Sequence, residues 1–221
     1  MLLEIKICGL TTISDARAAL AAGADYLGFV LYPRSPRALE PDAFRRLRDR
    51  LPDPARVLAV LVNPRRTLAE SLAREGRLHA LQLHGDEPAG EWSDFPLPIW
   101  RAIRIENGRL TPDPACWPAA RYVLDASAPG RYGGSGRTVD WYRAARAART
   151  APLMLAGGLT PDNVAEAVRR VAPLGVDVCS GVESEPGRKD LRRLAAFLAA
   201  ARAAGRAAPI GLDKNRMLPH A

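Results

Sequence analysis

Several side chains that can bind ions or transfer protons stand within or at the ends of short apolar runs of this 221-residue chain. One run ends Lys6-Ile7-Cys8-Gly9, a later one reads Gln82-Leu83-His84-Gly85-Asp86, and another contains Leu124-Asp125-Ala126. Turns are commonly rich in glycine, which accounts for the glycines. Turn chemistry does not account for a lysine, a cysteine, a glutamine, a histidine and an aspartate in apolar surroundings. Brought together, such groups would bind a charged ligand or move protons.

Side chains alternate across a strand, which sorts these residues by face. Three pairs share a face in this way: Lys6 with Cys8, Gln82 with His84, and Asp177 with Cys179. Ile5 and Ile7 occupy the opposite face of the first run and suit a surface covered by helices. Lys6 and Cys8 are therefore expected inside the protein. An isolated buried ammonium is costly, so Lys6 needs a charge partner or a ligand.

Two glycine-rich segments have the character of anion-binding loops. In Ala156-Gly157-Gly158-Leu159-Thr160-Pro161, the last two residues predict a helix with Thr160 as N-cap and Pro161 in the first turn. The second segment, Ser180-Gly181-Val182-Glu183, is expected to open a short extra helix. Backbone N–H groups at such helix starts bind phosphate. A third segment, residues 130–136, is expected to fold over a ligand as a lid.

The elements that position these residues alternate between short apolar runs and amphipathic runs rich in Ala, Arg and Leu. The apolar runs predict strands over 4–8, 26–31, 57–62, 80–84, 99–105, 122–126, 152–156 and 176–179. The amphipathic runs predict helices over 14–22, 41–51, 67–75, 141–150, 161–171 and 189–204. Prolines break the segments around 87–92 and 112–119, which leaves room only for short helices there.

Strand–helix alternation without hairpin signals favours parallel strands joined by crossovers. Eight such units predict a single-domain α/β fold, a (β/α)8 TIM barrel over residues 1–204, followed by a flexible C-terminal tail over 205–221. The carboxyl ends of the strands meet at one rim of such a barrel, so the reactive residues would gather there. An open doubly wound sheet is the alternative. Its dinucleotide fingerprint G-x-G-x-x-G is absent, because Cys8-Gly9-Leu10-Thr11 follows the first strand.

Composition narrows the classes of function. With 48% hydrophobic and 25% charged residues, the chain has the composition of an ordinary globular protein. It lacks the roughly 18-residue apolar stretch of a membrane span and the layout of a secretory signal, so we expect no membrane partner. The net charge of +8 comes largely from arginines set among alanines, as on solvated helix faces, so we expect no nucleic-acid partner. Cys8, Cys116 and Cys179 are widely spaced, which predicts a reducing compartment, the cytoplasm.

A series of segments follows one another with the spacing of barrel strands: Lys6-Ile7-Cys8-Gly9-Leu10-Thr11, Gly23-Ala24-Asp25, Ser35-Pro36-Arg37, Gln82-Leu83-His84-Gly85-Asp86-Glu87, Leu124-Asp125-Ala126, Gly133-Gly134-Ser135-Gly136, Asp140-Trp141, Leu155-Ala156-Gly157-Gly158-Leu159, Gly175-Val176-Asp177-Val178, Ser180-Gly181-Val182-Glu183 and Lys189-Asp190. In this order they resemble the phosphoribosylanthranilate isomerase family of tryptophan biosynthesis, from about Lys6 to Asp190. Three positions depart from the family pattern: Ser135 replaces the usual Thr, Val139 the favoured Phe, and Cys179 the commoner Ser.

The resemblance implies an Amadori rearrangement of N-(5-phosphoribosyl)anthranilate, a small phosphosugar, without metal or cofactor. It implies Cys8 as general base and Asp125 as general acid. The residues implied to bind the substrate are Lys6, Arg37, His84 and Asp177, with Arg37 suited to pair bidentately with the anthranilate carboxylate. Those implied to bind its phosphate are Gly134, Gly157, Gly158, Ser180 and Gly181. The chain is expected to be a monomer or a homodimer.

Rival interpretations stay open at this stage. Cys8 is also compatible with an inert core thiol, Asp125 with a loop-capping carboxylate and Arg37 with a surface charge. Indole-glycerol-phosphate synthase relies on catalytic lysines, and only Lys6 and Lys189 fall within the predicted barrel. Ribulose-phosphate epimerase needs metal-binding histidines, and the chain has 3 histidines in all. An RNA-binding domain would interleave aromatic and basic residues, a pattern that this sequence does not show.

Overall fold

Eight parallel strands of the computed structural model close into a barrel; the structure describes residues 2–126 and 139–207. The strands are β1 (Glu4–Ile7), β2 (Tyr26–Val30), β3 (Val57–Leu61), β4 (Ala80–Leu83), β5 (Ile99–Glu106), β6 (Arg109–Thr111), β7 (Arg121–Leu124), β8 (Leu153–Leu155), β9 (Gly175–Val178), β10 (Glu183–Glu185) and β11 (Arg188–Lys189). Parallel pairing runs from β1 through β2, β3, β4, β5, β7, β8 and β9 and back to β1. The predicted TIM barrel is confirmed.

The described α-helices lie outside this barrel: α1 (Ile13–Ala21), α2 (Pro41–Asp49), α3 (Arg66–Glu75), α4 (Trp141–Ala148), α5 (Val164–Val171) and α6 (Leu191–Ala207). Side-chain caps start three of them: Thr12 accepts from Asp15 N–H at 3.1 Å, Asp140 accepts from two N–H groups of α4, and Asp190 accepts from two N–H groups of α6. Between β4 and β5 the chain forms only the short 3-10 helix Ala89–Glu91, as its prolines predict. Within the described ranges, no helix has both the length and the apolar character that crossing a membrane requires.

The predicted start of α5 and the predicted end of α6 each miss the observed boundary by three residues. Helix α5 begins at Val164 with Asn163 as N-cap, so Thr160 is not the cap. Instead the N–H of Thr160 donates to Asn163 Oδ1 at 2.8 Å, and the Asn163 amide donates to the Gly158 carbonyl at 2.9 Å. These bonds hold a tight turn ahead of the helix. At the other end of the chain, α6 extends to Ala207, past the predicted end at 204, in an alanine-rich stretch with high helix propensity.

The structure contains two hairpins, contrary to the prediction from strand–helix alternation. Strand β5 continues beyond the barrel and pairs antiparallel with β6, with Glu106 opposite Arg109. Asn107 and Gly108 connect the two strands with φ angles of 48° and 79°. An Asn-Gly pair is a strong hairpin signal, so the sequence carried this information. The second hairpin pairs β10 with β11 directly after the last barrel strand.

Apolar side chains fill the part of the barrel interior that lies beneath the polar rim residues: Tyr26, Leu58, Ala80, Trp100, Val123, Met154 and Ala156. The Trp100 ring meets the Tyr26 ring edge-on, with centroids 4.8 Å apart, a contact that adds about 1 kcal/mol to the burial of the rings. Ile5 and Ile7 are fully buried in the larger core that includes the helices outside the sheet. Their orientation turns Lys6 into the barrel, as the alternation predicts.

Candidate active site

A cavity of about 390 Å³ opens where the carboxyl ends of the barrel strands meet, a volume within the usual range of small-molecule sites. Its lining includes most of the predicted site residues, namely Cys8, Arg37, His84, Asp125, Gly157, Gly158, Asp177, Ser180 and Gly181. Lys6 is not among the lining residues. Gly134 and the predicted lid over 130–136 lie outside the described residues. The fold thus brings together residues from six separate strand ends and loops.

Lys6 forms a buried ion pair beneath the cavity. The parallel register of β1 and β9 places Lys6 opposite Asp177, and Lys6 Nζ lies 2.8 Å from Asp177 Oδ2. Burial disfavours the ammonium, but the charges of Asp177 and Cys8 raise the pKa of Lys6 above its ordinary value. Burial raises the pKa of Asp177 to about 6, against the opposing effect of Lys6. The charge partner that an inward Lys6 requires is therefore Asp177.

Cys8 follows the end of β1 and faces the cavity with 8% of its surface exposed. Its backbone N–H donates to the Val178 carbonyl at 2.8 Å, which continues the pairing with β9. That pairing sets Cys8 beside Cys179, and the neighbouring Cys179 thiol and the charge of Lys6 lower the pKa of Cys8 well below its ordinary value, against the effect of burial. The Cys179 thiol itself donates to Glu183 Oε1 at 3.8 Å. The surroundings of Cys8 thus favour its thiolate form, as a nucleophile or base requires.

His84 and Asp125 meet across the cavity from β4 and β7. His84 Nε2 lies 3.3 Å from Asp125 Oδ2. On its other side, His84 Nδ1 lies 3.0 Å from the amide nitrogen of Gln82. His84 and Asp125 are 14% and 11% exposed, so both are shielded yet accessible from the cavity. This arrangement allows a proton to be held at the Asp125 carboxyl and exchanged with the imidazole.

Arg37 is held by Glu183, a residue to which the sequence assigned no role. Its Nε and Nη2 atoms donate to the Glu183 carboxylate at 2.9 and 2.6 Å. Hairpin β10–β11 sets Lys189 opposite Glu183, and Lys189 Nζ donates to Glu183 Oε1 at 2.8 Å. Although burial opposes ionisation, Arg37 and Lys189 hold the pKa of Glu183 below its usual range. The sequence offered a signal for this group. Glu183 and Lys189 both lie in segments that resemble the family, and predicting the hairpin that pairs them would have placed them together.

The predicted phosphate-binding glycines form one wall of the cavity. Gly157 and Gly158 adopt positive φ angles of 79° and 64°, which side chains rarely tolerate. Ser180 and Gly181 lie in a short 3-10 helix, Ser180–Val182, as predicted. A Cβ atom at Gly181 would lie 1.8 Å from the Leu159 carbonyl oxygen, so the two glycine-rich loops touch through their backbones. Exposed main chain at this wall suits an anion.

Comparison with known proteins assigns the chain to a family. Residues 5–200 match the family model described as N-(5'phosphoribosyl)anthranilate (PRA) isomerase. A relative named N-(5'-phosphoribosyl)anthranilate isomerase from Magnetococcus marinus is 44% identical over 204 residues, which cover 92% of this chain and 97% of that protein.

Solved structures of similar proteins carry the same fold. Phosphoribosyl anthranilate isomerase from Thermus thermophilus superimposes with a TM-score of 0.80 at 34% identity, covering 91% of this chain and 99% of that one. A second such isomerase, solved in complex with reduced 1-(o-carboxyphenylamino)-1-deoxyribulose 5-phosphate, gives a TM-score of 0.77 at 32% identity and covers 91% of this chain and 100% of its own. The fold, the family model and these relatives agree, and the chain belongs to the N-(5'-phosphoribosyl)anthranilate isomerase family of aldose–ketose isomerases.

Proposed function

We propose that this chain converts N-(5-phosphoribosyl)anthranilate to 1-(2-carboxyphenylamino)-1-deoxyribulose 5-phosphate by general acid–base catalysis in tryptophan biosynthesis. The observation that carries the proposal is that Cys8 and Asp125 line one cavity, whose wall also contains the glycine pair Gly157-Gly158. The two residues follow β1 and β7, which β8 and β9 separate in the ring. An acid and a base can therefore reach a single small substrate from different sides.

The acid step opens the sugar ring. Asp125 in its protonated form donates its proton to the ring oxygen, the bond between that oxygen and C1 breaks, and the anthranilate nitrogen shares its electron pair to form an iminium. Asp125 is left as a carboxylate, which His84 Nε2–H can stabilise at 3.3 Å. The two anionic groups of the substrate favour the protonated carboxyl before the step.

The base step moves the double bond. The Cys8 thiolate removes the proton from C2, and the released electron pair forms a C1–C2 double bond that neutralises the iminium. The resulting enolamine becomes the ketone when its C2 hydroxyl loses a proton and C1 gains one, so no net proton is consumed. The charge of Lys6 and the neighbouring Cys179 thiol favour the ionised form of Cys8.

The substrate's anions have separate partners in this proposal. The guanidinium of Arg37 binds the anthranilate carboxylate, since Glu183 holds Nε and Nη2 and fixes the direction of the planar group. The backbone around Gly158 and Gly181 binds the phosphate. Asp177 forms part of the cavity lining beside Cys8. We assign the reaction to the cytoplasm, where free thiols such as the exposed Cys116 persist.

Steady-state turnover of freshly prepared N-(5-phosphoribosyl)anthranilate, followed by the loss of its fluorescence, tests the proposal. Cys8→Ala and Asp125→Ala should each lower kcat by about 10²- to 10⁴-fold, the usual contribution of a general acid or base. Cys116→Ala is the matched control, because this thiol is exposed and lies outside the cavity lining. A wild-type chain without turnover, or a Cys8 or Asp125 variant with near-wild-type kcat, would refute the assignment.

Arg37→Ala separates binding from chemistry. Loss of the guanidinium should raise KM by about tenfold or more, since a bidentate charge-assisted contact is lost, with a smaller change in kcat. An unchanged KM would show that Arg37 does not bind the carboxylate.

A further inference from the structure

A buried amide stands behind the proposed general acid. Gln82 lies on β4 and is 1% exposed, and His84 follows two residues later on the same face. Gln82 Nε2 lies 3.0 Å from His84 Nδ1, and His84 Nε2 lies 3.3 Å from Asp125 Oδ2. The imidazole therefore bridges the Gln82 amide and the Asp125 carboxyl.

Proton counting links these three groups. A neutral imidazole carries one proton, on either Nδ1 or Nε2. When the Gln82 NH2 group donates to Nδ1, the imidazole proton must lie on Nε2, where it faces Asp125 Oδ2. Asp125 accepts that hydrogen bond best as a carboxylate, because both of its oxygens are then acceptors and one carries the charge. The arrangement in the structure thus matches Asp125 after it has given up its proton.

The reverse state requires an acceptor at Gln82. When Asp125 Oδ2 carries the proton and donates to a bare Nε2, the imidazole proton moves to Nδ1 and needs an acceptor there. The Gln82 Oε1 atom is buried and has no hydrogen-bond partner, which ordinarily costs a buried polar group free energy. A half-turn of the amide plane presents this oxygen to Nδ1–H. The same side chain can then satisfy either tautomer.

We propose that Gln82 is a positioning residue that acts through His84 and lets Asp125 alternate between acid and carboxylate. The inference rests on the proposed function, in which Asp125 protonates the ring oxygen. A glutamine suits this role because its amide offers a donor and an acceptor at equivalent positions. Methionine offers no donor and only a weak sulfur acceptor, and a glutamate offers a strong acceptor. The charged and titratable groups that share the cavity lining with His84 include Cys8, Arg37 and Asp177, and all of them stay in place in every variant below.

The pH dependence of kcat tests the proposal. In Gln82→Met, Nδ1–H has no strong acceptor, so the protonated state of Asp125 is disfavoured. The alkaline limb of the kcat profile, where Asp125 loses its proton, should move to lower pH, and kcat should fall by about tenfold while KM changes little. Gln82→Glu keeps the acceptor, so its alkaline limb should stay at or above the wild-type pH. Equal thermal unfolding temperatures would show that the variants share one fold.

Nitrogen NMR of the histidine rings gives a second readout, which does not depend on turnover. The chain has 3 histidines, and loss of one signal in His84→Asn assigns the ring. In the ligand-free wild type at neutral pH the proton should lie on Nε2, and in Gln82→Glu it should appear on Nδ1. A wild-type proton on Nδ1, a ring spectrum unchanged by Gln82→Glu, or a kcat profile unchanged in Gln82→Met would overturn the proposal. Those results would leave the isomerase assignment intact, whereas absence of wild-type turnover would refute the assignment itself.

Discussion

Replacing Lys6 by methionine tests whether a buried charge sustains the reactive thiol. Lys6 pairs with Asp177 at 2.8 Å, with side chains 0% and 7% exposed. Methionine keeps an unbranched apolar stem of similar length and removes the charge. The change leaves the Asp177 carboxylate without its cation, and it deprives the Cys8 thiolate of a positive neighbour. Stability and thiol reactivity should therefore fall together.

The geometry gives the size of both effects. A Cβ atom at Gly28 would lie 2.9 Å from Cys8 Sγ and 3.0 Å from Lys6 Nζ, so Cys8 Sγ and Lys6 Nζ are at most about 6 Å apart. Opposite charges at that distance attract by about 3 kcal/mol at an effective dielectric constant of about 20. The thiolate fraction near neutral pH should drop between about tenfold and a hundredfold. The free energy of unfolding should drop by about 3–5 kcal/mol, the usual result of stranding one partner of a buried ion pair.

The assay is the alkylation rate of Cys8 by iodoacetamide between about pH 6 and pH 9, read by peptide mass spectrometry so that Cys8 and Cys179 are counted separately. Urea unfolding supplies the stability. The control is the double variant Lys6→Met/Asp177→Asn, which removes both charges. The double variant should be about 2 kcal/mol more stable than the sum of the losses in Lys6→Met and Asp177→Asn predicts, because neither charge is then left without its partner. It should not recover the alkylation rate, because the cation beside Cys8 is still missing.

Two results would refute the reasoning. Cys8 that reacts at the wild-type rate in Lys6→Met would show that Lys6 does not stabilise the thiolate. A double variant no more stable than the additive expectation would show that the loss of stability does not arise from a stranded carboxylate.

Three further predictions follow from other parts of the site. Burial raises the pKa of Asp177 from 3.8 to about 6, so between these pH values the native state binds more protons than the unfolded state. The stability that this residue contributes is therefore lost as pH rises from about 4 to about 6. In Asp177→Asn, the urea midpoint should no longer show this pH-dependent loss. Gly181→Ala should unfold the chain or destabilise it by at least about 3 kcal/mol, because its Cβ would overlap the Leu159 carbonyl oxygen. The control Gly90→Ala, whose Cβ would meet nothing within 4 Å, should leave thermal stability nearly unchanged. Glu183→Gln should raise KM about tenfold with a smaller effect on kcat, because it weakens the hold on Arg37; steady-state kinetics with an unchanged KM would contradict this.

The local pattern was sufficient for most of the fold. Alternating apolar and amphipathic runs placed the eight barrel strands to within a residue or two of their observed ends, and the proline-broken crossovers were also correct. The errors concern short-range turn chemistry. The Asn107-Gly108 hairpin follows from a dipeptide signal that the strand–helix rhythm obscured. The start of α5 shifted because Asn163 satisfies the N–H of Thr160, a side-chain contact that a capping rule based on Thr and Pro does not include.

The candidate site was predictable in its residues and much less in its contacts. Strand alternation turned Lys6 and Cys8 inward, and the family resemblance supplied Asp125 and Arg37. Neither indicated that Glu183 would hold Arg37. That contact joins residues 146 positions apart in the sequence. No local pattern reports such a pair.

The sequence by itself determined the periodicity of the chain, the faces of its strands and the chemical types of the groups at their ends, because these depend on neighbours a few residues apart. Only the tertiary structure decided which groups share a proton or a charge: Lys6 with Asp177, Cys8 with Cys179, and His84 with both Gln82 and Asp125. The physical reason is that a pKa and a hydrogen bond depend on distances of a few ångströms and on burial. Closure of the barrel sets both, since it brings strands distant in sequence to one rim.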